Sequence, residues 1–440
     1  MHPQSPMRSA SWVGLFLIAW LASAVISLKL ISLPGYLGDD VSHYKYWTRV
    51  VLTEGIQEIY HGEYPQTYSI YPPVTLYAYG LAGRLYQRLA RQELVENPWD
   101  MNRMLASHTL SYAIKGVSVA FHLALGAGLF GLIWALYSVR VAALGSAFYL
   151  LNPAVLFDVA YWGAPDAAHS LFAVMALGLT LLGWWQSSWV AAGLAAMTKP
   201  QAWALVPIYL VAQFRLTGLM RILWGAGIAA ITVLVIVMPF IVHGRLADFL
   251  TLPDHIASVM PVASANAHNL WWIVTRNPAP VVMDDQRFLG PLTYRLAALP
   301  LVLGVAGFTL WRLLRSPSSW VFLLAGYQAF GWFCFTTQAH ENHSFFVLPL
   351  LLMAAPVARV ARFLFGLISF TLLANMVLHD PAIIDRTLDL LDDASRYDLQ
   401  IANAWLNLLI FFAWTGALLW LPSWCGEDSR QPTVAQAESL

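Results

Sequence analysis

Long apolar runs divide this chain, and charge gathers in the segments between them. Residues 11–31, 222–242, 296–310 and 405–421 are nearly free of charge. A helix needs about 20 apolar residues to cross the hydrocarbon core of a bilayer. Lipid offers backbone polar groups no partner, so a crossing segment is a helix or a strand of a closed barrel. Barrel strands alternate polar with apolar positions. These runs do not alternate, and they predict helices.

Short loops rich in basic residues mark the cytoplasmic side, which orders the runs. With Arg8 inside, 11–31 exits and a long polar outer loop follows, 35–104. Residues 107–136 return to a short turn at Arg140, 141–160 exit, 161–166 turn, and 167–184 return. Thr198-Lys199-Pro200-Gln201 interrupts 187–214. Pro200 disfavours helix at the residue before it, so two half-helices meet there. That hairpin keeps Arg215 and Arg221 inside, whereas one continuous span would put them outside. Residues 222–242 then exit, 243–291 form a second long outer loop, and 292–310 return to Arg312 and Arg315. Residues 320–335 exit, 338–344 turn, and 345–358 return to Arg359 and Arg362. The run 363–377 exits to an acidic loop with Asp385, Asp389, Asp392 and Asp393, and 402–421 return. The expected fold is an all-α polytopic membrane protein with one transmembrane domain, 1–424, and about 11–12 crossings. A disordered inner tail, 425–440, follows. No sequence repeat is visible, so the inverted-repeat signature of many transporters is missing.

Composition supports this picture. The 440 residues are 59% hydrophobic and 11% charged, against about 25% charged in a soluble domain. The formal charge is +0, which gives no basic field for a nucleic acid. Cys334 and Cys425 form no metal pattern and imply no disulfide. The 20 tryptophans suit interfacial belts. Ala22-Ser23-Ala24 has the form of a signal-peptide cleavage site, but the sequence beyond it stays largely apolar. An uncleaved first helix is expected.

Five polar clusters fall on the outer side: Gly38-Asp39-Asp40 and residues 161–166, 198–201, 266–272 and 338–343. Only the break at Lys199 and Pro200 entered the threading, so their agreement points to one site. A carboxylate at a membrane edge can act as general base on a sugar hydroxyl, and adjacent carboxylates can hold a metal. Two solvated aspartates at a loop start are the plainer alternative for Asp39 and Asp40. Tyr71-Pro72-Pro73 fixes an extended backbone, either to present Tyr68, Tyr71 and Tyr77 to a substrate or to begin a surface helix. Asp166, after Tyr161-Trp162-Gly163, either caps the next helix or touches substrate. Lys199 lies between apolar stretches, where charges are costly and usually functional. It suits a phosphate as a point charge, or it snorkels to the surface. Lys115, roughly two turns into its helix, poses the same choice. His340-Glu341-Asn342-His343 can meet phosphate through a protonated His or is a hydrated turn. As a zinc site it gives a weak signal, because three defined ligands are wanted.

In order along the chain, these clusters resemble the GT-C superfamily of membrane glycosyltransferases. The closest likeness is to bacterial Gpi18-like mannosyltransferases, with a looser one to the dolichyl-phosphate-sugar-dependent enzymes of N-glycan assembly. The family's loop opening is matched by Asp40, Tyr44 and Trp47, then by Gly55, Tyr60 and Tyr71-Pro72-Pro73. Its Trp-Gly-Gln-x-Asp is similar to Trp162-Gly163-Ala164-Pro165-Asp166, and its Lys-Pro-Gln to Lys199-Pro200-Gln201. Its Asn-x-x-Asn-Leu-Trp is similar to Asn266-Ala267-His268-Asn269-Leu270-Trp271. Its His-Glu-Arg-Tyr is similar to His340-Glu341-Asn342-His343. Two positions depart: Ala164 stands for Gln, and Asn342 for a basic residue expected at the donor phosphate. Lys199, Lys115, His340 or His343 would then supply that charge.

The resemblance implies a polyprenyl-phosphate hexose donor, mannose or glucose, and an acceptor hydroxyl on a glycan, lipid or protein. Asp40, or secondarily Asp39, would take the hydroxyl proton in an inverting displacement. Tyr71, Trp162, Asp166, Lys199, Gln201, Asn269, Trp271, His340, Glu341 and Lys115 would contact substrates. No cofactor and no obligatory metal are expected, since a lipid phosphate leaves with less metal help than a nucleotide diphosphate. The implied location is a bacterial inner membrane with the site facing the periplasm. A transporter or flippase for a lipid-linked sugar is the main alternative, although most charge collects at one edge rather than along a path through the midplane. An inactive scaffold relative is a third, kept open by Ala164 and Asn342.

Overall fold

The structure is a computed structural model describing residues 6–33, 39–92, 97–276, 281–387 and 392–420. The Asp39 side chain, Asp389, Cys425 and the tail lie outside the described residues. The main helices are α1 (Pro6–Ile31), α2 (Asp39–Thr53), α3 (Pro73–Gln92), α4 (His108–Leu136), α5 (Val139–Leu150), α6 (Asp166–Leu181) and α7 (Trp185–Ala196). There follow α8 (Val206–Thr217), α9 (Leu219–Val242), α10 (Tyr294–Arg315), α11 (Val321–Phe335), α12 (Val347–Ala354), α13 (Arg359–Val377) and α14 (Asp393–Trp420). The apolar runs are helices, as their lack of alternation predicts. Among the described residues the one strand pair, Arg287–Leu289 with Leu292–Thr293, is a small hairpin in the second long loop.

Six described helices are long and apolar enough to cross a membrane, α1, α4, α9, α10, α13 and α14. A seventh results if Val139–Leu150 and Pro153–Trp162 form one span bent by 49°. The sequence predicts a single run there, 141–160. The bend comes at Asn152, whose side chain caps the backbone N–H groups of Ala154 and Val155 at 2.9 and 3.4 Å. Pro153 follows at the first helical position, where its missing N–H costs nothing. The other expected crossings are helical but shorter, with 16 residues in α6 and 15 in α11.

The interrupted segment is the hairpin that Pro200 predicts. Its open end is tied together: Ser188 Oγ in α7 lies 2.8 Å from the Tyr209 hydroxyl in α8. Gln213 in α8 donates to Ser188 and to Thr180 of α6, both at 2.7 Å. Arg215 donates to the carbonyls of Leu313 and Ser316, beside Arg312 and Arg315. The basic residues of α8 and α10 therefore share one end, and the hairpin tip at Lys199 reaches the other.

The first long loop is largely helical. α2 and α3 pack through Tyr44, Trp47, Leu76 and Tyr79, a core separate from that of the bundle. On its other side α3 exposes Tyr77, Leu81, Leu85 and Leu89, spaced by four. A stripe of that kind fits a helix lying along a bilayer surface.

Candidate active site

The centre lies at the end of the bundle away from the basic turns, where four segments meet. The first is the start of α2, which carries Asp40. The second is the Tyr71-Pro72-Pro73 corner. Tyr60 donates to the Tyr71 carbonyl at 2.7 Å, and the Tyr71 and Tyr44 hydroxyls lie 3.2 Å apart. Pro73 opens α3, whose first turn docks on the hairpin tip. There Thr75 Oγ1 donates to the Thr198 carbonyl at 2.7 Å, and the Val74 N–H to the Met197 carbonyl at 2.9 Å.

The third segment is the hairpin tip. Lys199 Nζ donates to both oxygens of Asp166, at 2.8 and 2.9 Å. The side chains are 4% and 1% exposed, so this is an ion pair withdrawn from water. The ammonium also stands 5.5 Å from the centre of the Tyr71 ring, a cation–π distance. Asp166 therefore does more than open α6, and Lys199 does not snorkel.

The fourth segment is the turn 338–343. Its backbone pairs with 262–266: the Ala265 N–H donates to the Ala339 carbonyl at 2.9 Å and that of Gln338 to Val262 at 3.0 Å. Glu341 accepts from the Asn266 amide at 2.8 Å, and Asn266 reaches it from a left-handed φ of 60°. His340 Nδ1 is 3.7 Å from Glu341 Oε2, which makes that pair electrostatic rather than hydrogen-bonded. Burial would raise the Glu341 carboxyl, but the His340 imidazole, with His379 and the Asn266 amide, outweighs it and holds Glu341 at about 2. Burial pushes His340 down, and Glu341 together with Asp40 more than offsets this, so its pKa lies above the ordinary imidazole value. The Gln201 amide nitrogen lies 2.8 Å from His343 Nε2, and His343 Nδ1 accepts from the His340 N–H at 3.2 Å.

Asp40 keeps an exposed surface, yet the protein around it is dense enough to raise its carboxyl above the ordinary value. Burial is the main cause; His340, His43 and Lys199 oppose it, and Glu341 adds to it. Asp40 thus lies within electrostatic reach of His340 and Glu341 in the 338–343 turn and of Lys199 at the hairpin tip.

No known family profile and no curated protein matches this chain. Its structure is similar to that of ArnT from Cupriavidus metallidurans. That crystal structure, bound to undecaprenyl phosphate, is 14% identical with a TM-score of 0.49, over 93% of this chain and 77% of that one. The chain is also similar to the Archaeoglobus fulgidus oligosaccharyltransferase in its apo form, at 13% identity and a TM-score of 0.41. The same identity and score hold for AglB from Archaeoglobus fulgidus in complex with an inhibitory peptide and a dolichol-phosphate. This chain spans 57% of the length of those two.

Asp40, Tyr71, Asp166, Lys199, Gln201, His340 and Glu341 are thus brought together from the sequence-derived set. Four others are tied up in the fold. Asn269 caps the helix Leu270–Thr275 and donates to the carbonyls of Phe333 and Thr336, both at 3.2 Å. Trp271 donates to the Phe335 carbonyl at 2.8 Å. Trp162 donates to Asp380 at 2.7 Å. Lys115 is fully buried and donates to the Tyr161 carbonyl. Gly163 lies against the Lys115 stem at a φ of 83°, where an added Cβ would come 2.5 Å from Lys115 Cγ.

The sequence reading missed Asp158 and gave Asn342 no partner. The Asn342 amide donates to Asp158 Oδ1 and to Asp166 Oδ2, each at 2.9 Å. The signal that could have found it is Asp158 itself, a charge inside an apolar run, where charges are costly and usually functional. A second missed network secures the loop: Arg295 grips buried Asp284 at 2.8 and 3.0 Å, and Thr337 and Gln338 donate to the same carboxylate.

Proposed function

We propose that this chain is a GT-C-type glycosyltransferase that moves a hexose, mannose or glucose, from a polyprenyl-phosphate carrier to an acceptor hydroxyl. The reaction would take place at the outer face of a bacterial inner membrane. The observation that carries the reading is Asp40, partly open to solvent, within electrostatic reach of His340, Glu341 and Lys199 at one end of an apolar helical bundle.

The acceptor O–H gives its proton to the Asp40 carboxylate as its oxygen attacks the anomeric carbon. The bond from that carbon to the phosphate oxygen breaks, and the phosphate leaves with the lipid. One displacement inverts the anomeric centre. Lys199 already spends its charge on Asp166, so a donor phosphate would compete with that carboxylate. His340, whose protonated form Glu341 favours while standing 3.7 Å from it, is the cation better suited to meet the phosphate first. The acceptor, a glycan, lipid or protein hydroxyl, enters beneath the Tyr71 corner.

The test supplies purified protein in lipid with radiolabelled polyprenyl-phosphate mannose or glucose and a cell extract as acceptor source. Sugar should leave the carrier, and Asp40→Asn should slow that loss by about 10²–10⁴-fold, the usual worth of a general base. Thermal stability should not change. Near-normal turnover in the variant sinks the assignment of Asp40.

A further inference from the structure

Asp158 is completely buried in the π-helical turn Phe157–Trp162. Turns of that type inside helices are frequent at functional sites. Its backbone carbonyl accepts from the N–H groups of both Gly163 and Ala164 at 3.0 Å, which anchors the segment leading to Asp166. Its Oδ1 takes the Asn342 amide and its Oδ2 has no hydrogen-bond partner. A carboxylate left half-satisfied within an apolar helical bundle is costly, and packing alone does not account for it.

An amide nitrogen has two hydrogens. Asn342 commits its nitrogen to two different carboxylates, Asp158 and Asp166. With Asp166 alone the amide could swing about a single contact. With both it has one orientation, and Asp166 is itself clamped by Lys199. Asn342 belongs to the turn that carries His340 and Glu341, and its carbonyl accepts from the Phe345 N–H at 2.9 Å, where the next helix begins.

We propose that Asp158 is a positioning residue. By holding Asn342 against Asp166 it fixes the 338–343 turn, and so sets where His340 and Glu341 stand relative to Asp40. The consequence for turnover rests on the glycosyltransferase reading above; the consequence for the turn does not.

The experiment compares the full-length protein with Asp158→Ala, Asp158→Asn, Asn342→Ala and the double alanine variant in lipid nanodiscs. Turnover and KM for the donor lipid are read alongside hydrogen–deuterium exchange across 338–343. Asp158→Ala should lower kcat about 10–100-fold through misplacement of the turn, with KM for the donor changed by less than about threefold. Asp158→Asn keeps an oxygen that accepts from Asn342 and should recover most of the loss. The double variant should be no worse than the more severe single, as for two residues acting through one bond. Exchange at 338–343 should quicken in both alanine variants, while exchange around Arg312 and Arg315 stays as it was. If Asp158→Ala does not fold, Asn342→Ala, which removes the contacts to both Asp158 and Asp166, must still quicken exchange at 338–343, and an unchanged turn overturns the proposal. A kcat within about twofold of wild type, additive losses, or an Asn variant as damaged as the Ala variant overturns the proposal. If the wild type releases sugar from neither donor, the glycosyltransferase reading falls. Exchange then decides alone, and an unchanged 338–343 turn in the alanine variants overturns the positioning role.

Discussion

Cutting the Lys199–Asp166 pair from one side should be strongly destabilising, and removing both partners should cost less than the two single losses added together. The pair is bidentate, 2.8 and 2.9 Å long, with side chains 4% and 1% exposed. Removing one member of a buried pair leaves a charge without water or partner, at a cost of ~3–5 kcal/mol. The two single variants should differ. Lys199→Met leaves Asp166 and Asp158 joined only through the Asn342 amide, with no cation between them. Asp166→Asn leaves Lys199 within the field of Asp158 and above the Tyr71 ring. The lysine variant should therefore sit at the upper end of the range and the aspartate variant at the lower. The double variant should fall short of their sum by about 1–3 kcal/mol, the coupling of directly contacting residues. The assay is unfolding in mixed micelles on titration with dodecyl sulfate, followed by fluorescence of the 20 tryptophans. Ionic strength near 1 M shortens the Debye length to ~3 Å, yet a buried pair should keep its coupling. Single variants costing less than about 1 kcal/mol, or strict additivity, would refute the reasoning, because the pair would then behave as a solvated one.

The remaining predictions follow from the same geometry. Turnover needs Asp40 as the anion and His340 as the cation, so it should fall as pH drops through the raised Asp40 value and as pH climbs through the raised His340 value. His340→Gln should remove the alkaline limb and, since His340 holds Asp40 down, move the acid limb to higher pH; an unmoved acid limb contradicts that electrostatic reach. Gly163→Ala should destabilise by ~1 kcal/mol or more, since the position needs positive φ and the Lys115 stem fills the space. Gly116→Ala in the same helix as Lys115 meets nothing within 4 Å and should instead stabilise slightly, as thermal unfolding would show. Cysteines placed at Arg221 and Arg362 should label from one side of the membrane, and those at Glu63 and Gln66 from the other. Labelling of Arg221→Cys together with Glu63→Cys would disprove the hairpin.

Much of this protein was legible in its sequence because lipid makes the rules strict. Apolar runs without alternation have one solution, the helix, and most of their limits agree with the observed helices within a few residues, although the last helix starts well before residue 402, at Asp393, and the run 141–160 is broken at Asn152. Pro200 beside Lys199 announced the hairpin, since backbone chemistry alone disfavours helix before proline. The order of polar clusters named Asp40, Tyr71, Asp166, Lys199 and His340 as neighbours in prospect. Tertiary structure decided how those groups are spent. Nothing in one dimension says that Asn269 and Trp271 close a loop onto α11, or that Lys199 belongs to Asp166. Hydrogen-bond partners from distant segments are settled only when packing fixes distance and direction. Asp158 shows the same limit: a single carboxylate in an apolar run acquires its meaning from an amide 184 residues away, which the folded bundle brings to 2.9 Å.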